Sequence, residues 1–252
     1  MKIFNAQRVD NLPEGILFDT DNTLYDYTPA HEAALDAVCK KIMGNLSLPR
    51  GEFIEAFDEA RRQIKAQLGN TASSHSRLLY MQRTMENLGL GSQVLLSLEF
   101  EQTYWRTFLR TAKLFDDVLE FLDDMRLLGI PMVIVTDLTA QIQFRKIVYF
   151  GLDRYFDFVV TSEEAGQDKP NAAPFELAME KLRCSGDRTW MIGDNSVNDI
   201  HGARRHINAV TFQKIHTGVK TGVGDEQPDV SFATYAEMRK LVKSLSLGAT
   251  VG

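Results

Sequence analysis

Cysteine is nearly absent: the 252-residue chain has two, Cys39 and Cys184, far apart, with no C-x-x-C spacing and no Cys/His cluster. That excludes a disulfide framework and a thiolate zinc site, and a reduced cytoplasm is the expected compartment. Long hydrophobic runs are missing too. No stretch approaches the roughly 18 apolar residues of a membrane span, and the opening Met-Lys-Ile-Phe-Asn-Ala-Gln-Arg lacks a secretory apolar region. Nor is there a basic excess. With 28 Lys and Arg against 34 Asp and Glu, a net charge of −6 and a pI near 5.4, the chain lacks the clustered cations from which nucleic-acid and anionic-membrane binders draw affinity. The pairs Arg61-Arg62 and Arg204-Arg205 read as solvated helix faces. His31, His75, His201, His206 and His216 show no metal-ligand spacing and are expected in surface or packing roles. No internal repeat or low-complexity tract is present. What remains, 44% apolar and 25% charged residues, is the composition of a globular protein with a sizeable core.

One stretch organises the rest: Gly15-Ile-Leu-Phe-Asp19-Thr-Asp21-Asn-Thr23. A short apolar run reads as a buried parallel strand, and it stops at two aspartates separated by one residue. Carboxylates immediately beyond such a strand lie in the crevice at the carboxyl edge of an open α/β sheet. Two like charges about 4 Å apart repel by roughly 4 kcal/mol at an effective dielectric of 20, which calls for a metal ion, a shared proton or diverging side chains. A solvated turn rich in Asp and Asn is the competing explanation if the motif stands alone.

It does not stand alone. Residues 1 to 13 are polar and read as a short arm. From Pro29 to Thr111 the periodicity is helical, with breaks at Gly44 to Pro49, Gly69 to Ser74 and Gly89 to Ser92, predicting a block of about four helices. Within it Phe53, Ile54, Phe57 and Ile64, and then Leu78, Leu79, Met85 and Leu88, form stripes expected to be bundle core. Beyond Phe115 strands and helices alternate: helix Asp116 to Leu128, strand Pro131 to Val135, helix Ala140 to Phe150, strand Phe158 to Val160, helix Pro174 to Leu182 and strand Thr189 to Ile192. A helix through Ala203 to His206, strand Ala209 to Phe212, a short strand Val230 to Phe232 and helix Tyr235 to Leu245 complete the chain. This order predicts the α/β class: a doubly wound parallel sheet with a helical block inserted after its first strand. Gly218 to Gly224 lacks the spacing of a phosphate-binding loop and reads as a surface loop.

The predicted strands end in Asp19 and Asp21, then Thr136-Asp137, then Gly193-Asp194-Asn195-Ser196-Val197-Asn198-Asp199, with Lys169 in a loop between the last two. A parallel sheet gathers its strand ends, so carboxylates, a hydroxyl and an ammonium are expected in one crevice. An all-oxygen donor set suits Mg²⁺, and Lys with Thr completes an anion site. The chemistry implied is phosphoryl transfer to a carboxylate nucleophile.

These motifs, in this order, resemble the haloacid dehalogenase (HAD) superfamily over nearly the whole chain, and within it the capped phosphatases that include pyrimidine nucleotidases and N-acylneuraminate-9-phosphatase-like enzymes. The resemblance implies a Rossmann-like catalytic core at residues 1–28 and 112–252, and a helical cap at 29–111 hinged near Asp26 to Thr28 and Lys113 to Phe115. It implies that Asp19 is the nucleophile and a Mg²⁺ ligand. Asp21 would be the acid and then the base, its backbone carbonyl on the metal, and Asp194 the metal ligand of the fourth motif. Thr136 and Lys169 would hold the phosphoryl group, with Asn198 and Asp199 in support. Dehalogenases of the family lack an acid two residues after the nucleophile, so Asp21 points to phosphate esters. Asp137 stands where many members have Asn. Either it faces the leaving group and disfavours a second anion there, or it is a cap or turn residue. The implied activity is a Mg²⁺-dependent phosphatase of a small soluble phosphomonoester. A phosphomutase with the same site, and a non-catalytic binding protein on the same fold, are the alternatives. Arg61, His75 and Arg77 are candidate cap contacts. No nucleic acid or membrane is expected as a partner, and monomer or homodimer stays open.

Overall fold

The computed structural model describes residues 1–248. Backbone proximity divides the chain into two units, Met1–Asp26 with the chain from Leu114 onward, and Tyr27–Lys113 between them.

The first unit is built on a seven-stranded sheet. In chain order its strands are β1 (Lys2–Ile3), β2 (Gly15–Phe18), β3 (Met132–Thr136), β4 (Phe158–Thr161), β5 (Thr189–Gly193), β6 (Val210–Lys214) and β7 (Val230–Phe232). Their spatial order is β1-β7-β6-β5-β2-β3-β4, parallel except where β1 pairs antiparallel with β7. The unit is thus a doubly wound α/β sheet with one antiparallel edge. The N-terminal arm is the one departure from the expected sheet. Lys2 and Ile3 face Ser231 and Val230, a strand too short and too exposed to leave an alternation pattern.

Strand β2 is buried along its whole length because it is central, flanked by β5 and β3. Successive residues point to opposite faces. Leu17 joins Val133, Val135, Val160 and Met191 beneath Phe175, Ala178 and Ala203, which belong to α8 (Ala172–Leu182) and α9 (Gly202–Ile207). Phe18 turns the other way, its ring edge-on to Phe121 of α5 (Val118–Leu127), which in turn meets Tyr235 of α10 (Tyr235–Gly248). With helices on both faces, only the strand ends reach solvent. From β2 the chain runs to β3 and β4 on one side, then returns to β5, β6 and β7 on the other. The reversal falls between β2 and β5, the place where such sheets open a ligand crevice at their carboxyl edge. Helix α6 (Ala140–Tyr149) follows β3, and a short α7 (Ser162–Ala165) follows β4.

The second unit holds α1 (Tyr27–Leu46), α2 (Arg50–Leu68), α3 (Arg77–Asn87) and α4 (Val94–Thr111), with a single 3₁₀ turn at Ala72–His75. The breaks fall where Gly, Ser and Pro cluster. Its core is Val38, Ile42, Phe53, Phe57, Tyr80, Met81, Met85, Phe100, Tyr104 and Phe108. The stripe on α3 differs from the expected one. Leu78 is exposed, and the buried face is Tyr80, Met81, Thr84 and Met85. Ser76 sets this phase by capping Leu79 N at 3.3 Å, and the Tyr80 ring packs edge-on against Phe57 at 6.0 Å.

Candidate active site

Strand β2 ends by passing Ile192 a last hydrogen bond from Asp19 N, 2.9 Å, and the chain then turns away from the sheet. Asn22 makes that turn with φ of 62°, a left-handed conformation that Asn tolerates. Asp19 is 8% exposed, and its two oxygens are held apart in function. Oδ1 accepts from Lys169 Nζ at 2.7 Å, and Oδ2 accepts from Thr23 Oγ1 at 3.3 Å. Thr23 is itself fixed, since Tyr235 Oη donates to its carbonyl at 3.0 Å.

Lys169 is buried and spends its three protons on Asp19 Oδ1, Asp199 Oδ1 at 2.7 Å and Val135 O at 2.8 Å. The ammonium therefore ties the ends of β2 and β3 to the segment after β5. Asp199 is reached because that segment folds back at once: Asn195 caps a wide helical turn, Ser196–His201, through Val197 N and Asn198 N. Asp199 Oδ2 accepts from Asn195 N at 3.0 Å. Its carboxyl lies over Gly193, where a Cβ would come within 2.5 Å of Asp199 Cβ, so a side chain at residue 193 would expel this acid. Thr136 Oγ1 lies 3.3 Å from Thr20 Oγ1, both buried.

Asp137 faces inward. Oδ1 accepts from Lys169 N at 2.8 Å and Ser162 Oγ at 3.3 Å, and Oδ2 accepts from Asn198 Nδ2 at 3.3 Å. The carboxylate thereby pins the Lys169 loop, the Asn198 turn and the start of α7 together. Thr139, not Asp137, occupies the N-cap position of α6. Asp21 points to a partner that the sequence did not suggest. Lys146, deeply buried on α6, donates to Asp21 Oδ1 at 2.7 Å and Oδ2 at 3.1 Å, and Tyr25 Oη donates to Oδ1 as well. A lysine inside a helix normally reads as solvated. The available signal was its phase, since Lys146 falls with Ile142, Gln143 and Ile147 on the buried stripe of α6.

Asp19, Asp194 and Asp199 each place an oxygen within 4.8 Å of the others. Among the described residues, Lys169 is the one ammonium paired with this group. Burial raises Asp19 to about 7 against the pull of Lys169, with Asp199 and Asp21 adding to the rise. Asp194 is raised to about 8, first by burial and then by Asp19 and Asp199. Lys169 moves the other way from an isolated buried lysine: its carboxylates outweigh desolvation and hold it charged. A partly buried, oxygen-only, cation-deficient cluster fits Mg²⁺. Asp19 and Asp194 would hold the ion, with Asp199 behind them engaged by Lys169; the Asp21 side chain lies outside this group.

The sign of the consequence follows from linkage. The folded metal-free protein keeps protons on Asp19 and Asp194 up to about pH 7 and 8, whereas the unfolded chain loses them near pH 4. Stability from these groups is present at low pH and is lost as pH rises through the folded values. Mg²⁺ competes with those protons. Its stabilisation, about 2.7 kcal/mol at a hundredfold excess over Kd and roughly 5–10 °C in melting temperature, should be larger at pH 8 than at pH 6. Melting curves in Mg²⁺ and in EDTA at both pH values test this; equal increments would contradict it.

The model of the haloacid dehalogenase-like hydrolase family matches residues 16–211. The chain belongs to that family. A ribulose-1,5-bisphosphate 5-phosphatase of Halopiger xanaduensis is 34% identical over 90% of this chain and 98% of its own length. A glyceraldehyde 3-phosphate phosphatase of Methanothermobacter thermautotrophicus is 28% identical over 75% of this chain and 80% of its own. Among solved structures, a 2-haloacid dehalogenase from Pseudomonas syringae superposes with a TM-score of 0.73 at 20% identity, covering 91% of this chain and 97% of that one. The curated relatives are phosphatases, and the chain is a phosphoric monoester hydrolase of the HAD-like family. The alternative of a non-catalytic binding protein falls with that result. No helix among the described residues is long and apolar enough to cross a membrane.

In the helical unit the candidate contacts separate. Arg61 is exposed. Arg77 donates to His75 O at 2.7 Å and Tyr27 Oη at 2.5 Å, and its guanidinium lies 5.3–5.6 Å from the rings of Tyr80, Tyr104 and Trp105. Its Nε is buried without a partner. His31 stacks on Tyr27 and meets Tyr104 Oη through Nδ1 at 2.6 Å. Burial, then the charges of Arg77 and Arg61, lower His31 to about 4, leaving a neutral imidazole at pH 7.

Proposed function

We propose that this HAD-like hydrolase is a Mg²⁺-dependent phosphatase of small soluble phosphorylated metabolites, with sugar and short-chain phosphates foremost, working through an aspartyl phosphate on Asp19. The observation that carries it is the placement of Asp19, between the Lys169 ammonium and the Asp194 carboxylate, at the switch point of a parallel sheet. The phosphatase relatives supply the substrate class.

Asp19 attacks phosphorus through one carboxylate oxygen, and the bond from phosphorus to the ester oxygen breaks. Thr23 and Lys169 fix the carboxylate before attack, so little reorganisation accompanies the step. Asp21 gives its proton to the departing oxygen, then takes one from water as water attacks the phosphorus of the intermediate and frees Asp19. Lys169 and Thr136 offset charge on the phosphoryl oxygens. Bound Mg²⁺ would neutralise the anions that must meet for this reaction. Asp137 and Asn198 hold the loops that present Lys169 and Asp199. The helical unit has the role of a substrate-selecting cap. A phosphomutase would use the same residues with a second hydroxyl in place of water.

Phosphate release is the deciding assay, measured with Mg²⁺ and with EDTA over sugar phosphates, sugar bisphosphates, nucleoside monophosphates, nonulosonic-acid 9-phosphates and phosphoglycolate. Release from one class, silenced by EDTA, is expected. No release from any member by folded protein, with phosphate migrating within a sugar phosphate instead, would replace the hydrolase by the mutase.

A further inference from the structure

The carboxyl edge of the sheet carries a second cationic feature on β6, next to the catalytic strands. The register of β5 and β6 sets Gly193, the last residue of β5, opposite Gln213, so Lys214, the last residue of β6, lies at the edge where the chain leaves β5 into Asp194. Lys214 is 2% exposed. Among the described residues its ammonium has a single hydrogen-bond acceptor, its neighbour's carbonyl, Ile215 O, at 3.2 Å, and it lies 4.1 Å from the centre of the Phe115 ring. On the same ring, 5.4 Å from its centre, sits the imidazole of His216. Both His216 nitrogens are shielded, and neither has a hydrogen-bond partner among the described residues.

Two nitrogen-bearing side chains buried together without an acid are costly, because a desolvated ammonium and an unsatisfied ring N–H each lose their water and gain little in exchange. The cost shows in both. Burial lowers Lys214 to about 8, while Asp26, Asp194 and Glu237 act from further off and only partly restore it. His216 is lowered by burial first and by the Lys214 charge second. The other two buried lysines of this unit are each answered by a carboxylate: Lys169 by Asp19 and Asp199, Lys146 by Asp21.

We infer that Lys214 and His216, backed by Phe115, form a subsite for a second acidic group of the substrate, a phosphate or carboxylate carried on the same small molecule as the scissile phosphate. The ammonium and one imidazole N–H would donate to its oxygens, and the Phe115 ring would exclude water on the opposite side. The subsite rests on the phosphatase reading for where the scissile phosphate goes, but its own chemistry is anion binding.

The test is a comparison within each protein. Butane-1,4-diol bisphosphate, 4-phosphooxybutanoate and n-butyl phosphate share a scissile end and a similar chain length. In the unmodified protein the first two should exceed the third in kcat/KM by about 10- to 100-fold, the worth of a charge-assisted hydrogen bond. In Lys214→Met the ratio should collapse towards one, while Lys214→Arg should keep most of it. His216→Phe should lower it by a smaller factor. A bisphosphate preference without a carboxylate preference would narrow the group to phosphate. No preference in the unmodified protein, or the same ratio in Lys214→Met, would overturn the subsite. If none of the three is hydrolysed, the phosphatase reading is decided separately by the panel of phosphate esters. Calorimetric binding of the bisphosphate to the unmodified protein and to folded Lys214→Met then decides the subsite: tighter binding to the former supports it, equal binding refutes it.

Discussion

Asp19→Asn is expected to abolish Mg²⁺-dependent phosphate release, by four orders of magnitude or more, while leaving the fold intact. The carboxamide has the shape of the carboxylate but is a far poorer nucleophile, and losing a nucleophile removes the covalent route altogether rather than weakening one of its steps. Folding should survive for a reason visible in the site. Burial first, and then the neighbouring carboxylates, raise the pKa of Asp19, so above pH 7 its ionised form is a cost to the metal-free protein. A neutral side chain relieves that cost, and Lys169 keeps its partners Asp199 and Val135 O. The melting temperature in EDTA at pH 8 should therefore be no lower in Asp19→Asn than in the unmodified protein, and the increment on adding Mg²⁺ should shrink. Activity above about 1% in Asp19→Asn, with the absence of wild-type contamination shown by mass spectrometry, would remove Asp19 from the nucleophile's role.

Much of the α/β unit was legible because its signals are local. Gly15 to Phe18 is apolar without alternation, as a strand covered on both faces must be, and two acids follow at once. The interruptions of the helical unit were legible for the same reason, since Gly and Pro act on the backbone where they stand. What escaped was decided at a distance. Lys2–Ile3 is a strand only because β7 offers an edge to it. Asp137 was read as a contact to the leaving group or a turn residue, and the structure makes it a bracket for three loops, because Lys169 N, Ser162 and Asn198 come from other parts of the chain. Lys146 and Lys214 look like surface residues by type. Their burial is fixed by helix phase in one and by strand register in the other, and neither propensity nor motif spacing carries that information.

Lys146 then leads to a second large effect. Its ammonium bridges both oxygens of Asp21 from a helix that no motif includes, and Tyr25 Oη completes the hold on Oδ1. An ammonium this close fixes the direction of the carboxylate and favours its unprotonated form, at some cost in basicity; that aimed, unprotonated carboxylate is what must take a proton from water, whereas the protonated form that must give one is disfavoured. The half-reaction that depends on Lys146 is therefore hydrolysis of the aspartyl phosphate. Lys146→Met preserves length and apolar contact while removing the charge, and Asp21, more than a third exposed, has water to replace it, so the variant should fold. With p-nitrophenyl phosphate, whose leaving oxygen needs no proton, the first half-reaction should proceed nearly as before. The second should slow by about 100-fold, within the usual range for general base catalysis. The expected record is a burst of nitrophenolate close to one equivalent per active site, a slow steady state after it, and kcat falling far more than kcat/KM, because KM falls too when the intermediate accumulates. Acid quenching during the steady state should recover the phosphorylated enzyme. If kcat and kcat/KM instead fall together with no burst, Lys146 supports the position of α6 and not the proton transfer, and the orientation of Asp21 must be set by Tyr25 and the backbone turn at Asn22.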